Sequence, residues 1–333
     1  MNFTIFGAGA WGTAMAIHIA RLNHGITLVP RRLEHVQAVE ALRENKDYLP
    51  NFPLPNSIKI TGDLALALKG TDIVLLACPS VGLRTLCTSI RENLKGKHSV
   101  KAVVTLCKGL EISTLLPPAS IVKDIFPNLL CGVLSGPTFA GEVAIGKPTA
   151  ITLATTQEDE IAVAIQSNLS NSQLRVYRSG DLIGVEYAGC LKNVYAIGAG
   201  ICDGLQLGDN AKAAYLTRSL HELVKIGIAL GGQAQTFYGL SGFGDLVATC
   251  FGPWSRNRTF GQRVAEGHSP QSIIDSQKTV VEGYWATDCF HKLLAQKHLE
   301  CPILKEIHNI LYANKAPREA LVSLMNRPLK SEV

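Results

Sequence analysis

The stretch that most constrains this chain is its beginning, Asn2-Phe-Thr-Ile-Phe-Gly-Ala-Gly-Ala-Trp-Gly-Thr-Ala-Met-Ala-Ile-His-Ile-Ala20. Phe3 to Phe6 read as a short buried strand and Thr13 to Arg21 as a helix with Ala14, Ile17 and Ala20 on one face. Between them Gly7, Gly9 and Gly12 stand in the G-x-G-x-x-G register. A nucleotide pyrophosphate requires this combination: Gly7 permits the tight turn, Gly9 lets backbone approach the phosphates, and Gly12 lets the helix pack close to the strand. The first-turn N–H groups of the helix are then left to hold the anion. Two blander readings compete, a glycine-rich turn with no ligand and a secretory leader. The leader reading fails because the stretch has no basic n-region and glycines interrupt its apolar run.

Length bounds the number of domains. At 333 residues the chain is expected to form two. Hydrophobic residues make up 47% and charged residues 18%, ample for a core, yet Lys192 and Asn193 break the best candidate for a membrane span. The net charge of +5 is spread along the chain without a basic run or aromatic interleaving, so a nucleic-acid partner is not expected. An anionic small ligand suits it at least as well. Nine cysteines stand singly, among them Cys78, Cys107, Cys190 and Cys250, and read as reduced, mostly buried thiols of a cytoplasmic protein. No metal is expected: His221-Glu222 begins like a zincin but has Lys225 where the second histidine belongs.

After the first helix, Gly25 turns into a second buried strand, Ile26 to Val29, which completes a βαβ unit. Its end bears on the cofactor. An NAD enzyme usually places Asp or Glu there for the ribose 2′-OH, whereas this strand ends Pro30-Arg31-Arg32. Guanidinium groups hold a 2′-phosphate that a carboxylate would repel, so NADP(H) is favoured, with NAD(H) tolerated. The competing reading is two solvated arginines at a helix start. A helix is expected from Leu33 to Glu44, then a proline-rich loop from Tyr48 to Pro55. Strands are expected at Ile58 to Ile60, Asp72 to Cys78, Val100 to Cys107, Leu130 to Leu134 and Thr149 to Ala154, with a short helix at Leu64 to Leu68. Short apolar strands alternating with helical segments give an α/β fold, a Rossmann-like doubly wound parallel sheet with ligands at the carboxyl ends of its strands. Lys108 and the turn Ser135-Gly136-Pro137-Thr138-Phe139-Ala140 fall at such ends. From about Asp181 the texture becomes mainly helical, so a dinucleotide-binding domain is placed at 1–181 and an α-helical domain at 182–333.

In the helical half, Glu186 to Gly200 reads as a helix buried on most sides yet carrying the ammonium of Lys192. Burial of such a charge is costly without a partner. Glu186 does not share the face of Lys192, so the partner is expected from elsewhere in the chain, unless the lysine snorkels to solvent. Further on, Gly239 to Cys250 is a glycine cluster delivering one carboxylate, Asp245. Ser255 reads as the N-cap of a helix from Arg256 to Glu266, with Arg256 and Asn257 in a first turn suited to a phosphate.

These pieces together closely resemble NAD(P)-dependent glycerol-3-phosphate dehydrogenase of the bacterial type. The resemblance runs through the glycine turn with Trp11, Cys-Lys-Gly at 107–109, Gly-Pro-Thr-Phe-Ala at 136–140, Leu-Lys-Asn at 191–193, Gly-Asp-Asn-Ala-Lys at 208–212, Ser-Gly-Phe-Gly-Asp at 241–245, Ser-Arg-Asn-Arg at 255–258 and Val-Val-Glu-Gly at 280–283. It implies that Lys192 is the proton donor and acceptor at the substrate oxygen. Around sn-glycerol 3-phosphate or dihydroxyacetone phosphate it implies Lys108, Gly136, Thr138, Asn193, Asp245, Ser255, Arg256 and Asn257. At the cofactor it implies Gly7, Gly9, Ala10, Trp11, Gly12, Arg31, Arg32, Lys108, Ala140, Arg256, Val280 and Glu282. The family commonly has serine where Ala10 and Thr138 stand; Thr138 keeps the hydroxyl, whereas at Ala10 backbone must replace it. A homodimer and a role in supplying phospholipid precursor are also implied. Rival readings are a related hydroxyacid or hydroxyacyl dehydrogenase of the same two-domain plan, and a non-catalytic NADP(H)-binding sensor.

Overall fold

The apolar runs of the N-terminal half become strands in the computed structural model, which describes every residue except 95, 97, 158, 277, 278, 330 and 333. In chain order they are β1 (Asn2–Phe6), β2 (Gly25–Val29), β3 (Glu44–Asn45), β4 (Leu49–Pro53), β5 (Ile58–Ile60), β6 (Ile73–Leu76), β7 (Ala102–Thr105), β8 (Leu130–Ser135), β9 (Thr149–Thr155) and β10 (Leu174–Ser179). Eight of them form one sheet in the order β10-β9-β8-β7-β6-β1-β2-β5. Strands β6, β7 and β8 are buried at every residue, which explains why they read as continuous rather than alternating apolar runs: helices cover both faces. Among the apolar clusters that result, one holds Phe3 and Ile5 and another Phe6, Val74 and Leu76.

The sheet is dominated by parallel pairs, as expected, with one antiparallel pairing. Strand β9 runs antiparallel to β8, Leu134 facing Leu153 and Ser135 facing Thr152. The connection between them contains only the short helix Ala140–Ile145 and does not carry the chain back along the sheet, as a parallel crossover must. It therefore keeps Gly136 to Ala140 at the carboxyl ends of the parallel strands. Strand β10, parallel to β9, has no counterpart in the sequence reading. The segment from Tyr48 to Pro55, expected to be loop, contains β4, paired with β3 in a separate antiparallel ribbon. Pro50 and Pro53 are tolerated because that strand has a partner on one side only. The ribbon also shortens the preceding helix to Leu33–Leu42.

The chain divides into two units, Met1–Glu111 with Leu116–Glu186, and Ile112–Leu115 with Tyr187–Val333. The change of unit thus falls within the helix Leu182–Gly204, a few residues past the expected division at 181. Among the described residues the second unit contains helices and no strand. Its core is built on the fully buried Tyr195, Phe237, Phe260 and Phe290. Helix Leu182–Gly204 and helix Arg256–Ala265 meet backbone to backbone. A Cβ on Gly200 would lie 1.9 Å from the Arg258 carbonyl oxygen, and one on Gly261 would lie 1.9 Å from that of Ile197. Glu222, left over from the incomplete zincin pattern, serves the architecture, since its carboxylate accepts from the N–H groups of Ile303 (2.8 Å) and Leu304 (3.1 Å) and from the Tyr195 hydroxyl (3.2 Å). It caps the helix Pro302–Tyr312, whose first-turn donors would otherwise be orphaned. No described helix is long and apolar enough to cross a membrane.

Candidate active site

In the first unit the glycine turn joins β1 to the helix Ala10–Arg21. Gly7 has φ +109°, and a Cβ there would meet the Ala77 carbonyl oxygen at 2.6 Å; a Cβ on Gly12 would meet the Gly7 oxygen at 2.0 Å. Nothing lies within 4 Å of the Cβ position of Gly9. The turn is thus packed tight on the sheet side at Gly7 and Gly12 and open at Gly9. The first turn of the helix contains no acidic residue, and Gly9 gives it no side-chain cap, so the N–H groups of Ala10, Trp11 and Gly12 are available to an anion. The indole N–H of Trp11 is buried and makes no hydrogen bond within the protein. Open space at Gly9 and these donors fit a bound dinucleotide.

Two supports of the turn come from outside the motif. The Gly7 N–H donates to the Val29 oxygen (3.0 Å), which sets the end of β2, and with it Arg31 and Arg32, beside the turn. Both arginines are exposed, and Arg32 reaches the Tyr48 hydroxyl at 3.5 Å. Asn45, fully buried, donates to the Ala8 oxygen (2.8 Å) and to the Thr13 hydroxyl (2.7 Å), while its own oxygen contacts His35 Nε2 at 3.0 Å. Sequence reasoning missed Asn45, because a lone asparagine ahead of a proline-rich segment looks like a turn residue.

Also in the first unit, the Lys108 ammonium donates to the Gly136 carbonyl (3.0 Å), as does the Thr138 hydroxyl (3.1 Å). Gly136 has φ +151°, and a Cβ there would lie 3.2 Å from the Ile151 α-carbon. Lys108, Gly136 and Thr138 thus form one cluster, and Ala140 opens the helix that follows it. Glu186 is a buried acid of the same unit whose carboxylate accepts from the Ala119 N–H. Desolvation by burial pushes its pKa up to about 8, against the opposing effect of that hydrogen bond.

In the second unit Lys192 is 7% exposed, so it does not snorkel. Its ammonium donates to Asp245 Oδ1 (3.0 Å) and to the Thr249 hydroxyl (2.8 Å), which in turn lies 3.3 Å from the same carboxylate oxygen. Asp245 is placed by the glycine cluster, which winds as a π-turn from Leu240 to Gly244 before the helix Asp245–Phe251 begins. Asp245 is the expected distant partner, whereas Thr249 was not anticipated: it sits one turn further along that helix, a spacing the sequence does offer.

Asn193, the next residue, has its side-chain oxygen bonded to Asn257 Nδ2 (2.9 Å), and Asn257 Oδ1 accepts from the Gly283 N–H (3.0 Å). The side chain of Asn257 is therefore occupied with Asn193 and the start of the helix Glu282–Gln296. Ser255 caps the helix Arg256–Ala265 by accepting from the Arg258 N–H (3.2 Å). Arg256, in its first turn, presents accessible surface, yet desolvation by the protein around it holds its guanidinium below the usual pKa, an effect the Glu282 carboxylate opposes. Val280 is half-buried just ahead of that acid. Arg258 points elsewhere, to Asp203, which also receives Lys212 (2.7 and 2.9 Å). The Gly208-to-Lys212 motif thereby braces the back of the same helix.

Family models described as NAD-dependent glycerol-3-phosphate dehydrogenase N-terminus and C-terminus match residues 2–161 and 181–322. The glycerol-3-phosphate dehydrogenase (NAD(P)+) of Nitrosomonas eutropha is 42% identical, over 98% of this chain and 98% of its own. That of Thiobacillus denitrificans is 41% identical over the full length of both. The crystal structure of glycerol-3-phosphate dehydrogenase from Coxiella burnetii is 34% identical, with a TM-score of 0.93 over 98% of this chain and 99% of that one. With models matching both halves and such relatives along its whole length, the chain belongs to the NAD-dependent glycerol-3-phosphate dehydrogenase family.

Proposed function

We propose that this chain interconverts dihydroxyacetone phosphate and sn-glycerol 3-phosphate, with Lys192 moving the proton and Arg256 holding the phosphate. As a family member it is an oxidoreductase that uses NAD(H) or NADP(H) with glycerol 3-phosphate; the proposal concerns which residues do the work. Bound nicotinamide supplies the hydride that reduces the ketone carbon. Negative charge then develops on the ketone oxygen, and the Lys192 ammonium both stabilises and protonates it. In the reverse direction the neutral amine accepts the proton from the alcohol. Asp245 and Thr249 fix the ammonium in place, and Asn193, held by Asn257, orients the substrate hydroxyls. The first-turn guanidinium of Arg256 clamps the phosphate by charge-assisted hydrogen bonds, while Ser255 secures the turn that presents it. In the first unit, the N–H groups after Gly9 take the pyrophosphate, Arg31 and Arg32 take a 2′-phosphate, and Lys108 adds a second cation at the substrate.

The observation that carries this reading is a desolvated ammonium bound to a buried carboxylate in a family of dehydrogenases. A sensor without catalysis would have no use for a charge so costly to bury. Replacing Lys192 by Ala is expected to abolish reduction of dihydroxyacetone phosphate, followed by NADPH absorbance, and to leave NADPH binding within about twofold. Substantial residual turnover in a folded variant overturns the assignment. The reading extends to a cytoplasmic homodimer that supplies glycerol 3-phosphate for glycerophospholipid synthesis, supported by the family resemblance and by the scattered thiols.

A further inference from the structure

Two thiols face each other at the edge of the first unit where its candidate ligand residues gather. Strands β6 and β7 are parallel neighbours, Leu76 beside Thr105, and the Leu106 N–H still donates to the Leu76 oxygen (2.8 Å). Two residues beyond each strand lie Cys78 and Cys107, with their sulfurs 3.8 Å apart. The Cys107 thiol donates to the Cys78 carbonyl at 2.9 Å. Neighbouring strands run about 4.8 Å apart, inside the roughly 4.4–6.8 Å span of α-carbons that a disulfide bridges.

The flanking residues tie this pair to the site. The Ala77 carbonyl and the Cys78 nitrogen are the atoms that press on Gly7, 2.6 and 3.0 Å from its Cβ position. Lys108, which donates to Gly136, comes directly after Cys107. Of the nine cysteines, all of them described, Cys78 alone is not buried. Burial raises the thiols of Cys87, Cys131, Cys202, Cys250, Cys289 and Cys301, to between about 11 and about 12, which keeps them as unreactive thiols.

We propose that Cys78 and Cys107 form a reversible disulfide that turns the enzyme off under oxidation by a hydroperoxide. The half-buried Cys78 sulfur attacks the peroxide, gives up two electrons and becomes a sulfenic acid as one water leaves. The Cys107 sulfur then displaces the sulfenic hydroxyl, forming the S–S bond and releasing a second water. In sum, two thiols and one hydrogen peroxide give one disulfide and two waters. A dithiol reverses the step by exchange, becoming a disulfide itself. Closing the sulfurs from 3.8 Å to about 2.05 Å removes the thiol hydrogen bond to the Cys78 carbonyl and draws the two strand ends together. The pull is transmitted to Gly7 through residues 77 and 78, and to Lys108 through the peptide bond after Cys107.

The test uses the full-length protein. It is treated with graded hydrogen peroxide, its remaining thiols are alkylated, and a digest is analysed by mass spectrometry alongside activity and NADPH affinity. A peptide pair linked through Cys78 and Cys107 is expected, formed in step with a loss of turnover of roughly tenfold or more that dithiothreitol restores. Cys78→Ser and Cys107→Ala, each active before treatment, are expected to keep their activity through it. The proposal is overturned if the wild-type digest shows the two cysteines unlinked, if linked protein turns over normally, or if the variants are inactivated as the wild type is. The linkage is read on the wild type, so a variant that fails to fold does not prevent the decision.

Discussion

At the scale of single residues, the proposed chemistry rests on charges whose placement is informative. Lys192 is almost without solvent, and its ammonium is balanced by Asp245 and Thr249; removing one partner of such a buried pair typically costs about 3–5 kcal/mol. Arg256 is a different case, a cation with accessible surface whose pKa desolvation lowers and the Glu282 carboxylate raises. Arg256→Ala is expected to leave the thermal unfolding midpoint nearly unchanged and to lower kcat/KM for dihydroxyacetone phosphate by about 2–3 kcal/mol, one charge-assisted clamp. Steady-state kinetics with dihydroxyacetone as a second substrate check this: the preference for the phosphorylated ketone should largely disappear. An unaltered preference removes Arg256 from the phosphate.

At the scale of elements, the role proposed for the end of β2 is to set which dinucleotide is held more tightly. Replacing Arg31 and Arg32 together by neutral residues is expected to weaken NADPH by about tenfold or more while changing NADH by less than about threefold, as measured by fluorescence titration at fixed ionic strength. Equal losses for both would return the pair to its blander reading as solvated arginines. The same scale explains what the sequence disclosed. Buried strands such as β6 and β8 announced themselves as apolar runs, and the cap at Ser255 stood at its helix start, because these signals are local. Strand β10, by contrast, alternates Leu174, Arg175, Val176 and Tyr177 with only one face buried, a weaker pattern. The antiparallel turn of β9 is set by where a connection goes, which no local pattern encodes. Asn45 matters through partners on other elements, and Thr249 through Lys192 on another helix as well as Asp245 on its own, so their roles became legible once those elements were placed.

At the scale of the whole molecule, one buried acid links stability to pH. The Glu186 pKa is raised to about 8 from an ordinary value of 4.5. A raised value means that the folded state holds the proton more tightly than the unfolded chain does. The carboxyl therefore favours folding most below about pH 4.5, and this advantage is lost as pH rises through about 8. Glu186→Gln keeps an acceptor for the Ala119 N–H without an ionisation to suppress. The variant is expected to be more stable than the parent by up to about 4 kcal/mol near pH 8, with the difference shrinking towards pH 5. Chemical denaturation at several pH values measures it, and a gap that does not vary with pH counts against the assignment.

The contact of Gly200 and Gly261 across two helices has a consequence for design. Two absent methyl groups act as a gauge block for the second unit, setting how far Lys192, the proposed proton-transfer amine, stands from Arg256, the proposed anion clamp, and hence which length of ester would suit both. Gly200→Ala would act as a wedge, forcing the helices apart by roughly 1 Å, a misplacement able to cost about a hundredfold in rate. Crystallography and kinetics on that variant should find a folded protein whose selectivity shifts towards longer phosphorylated ketones.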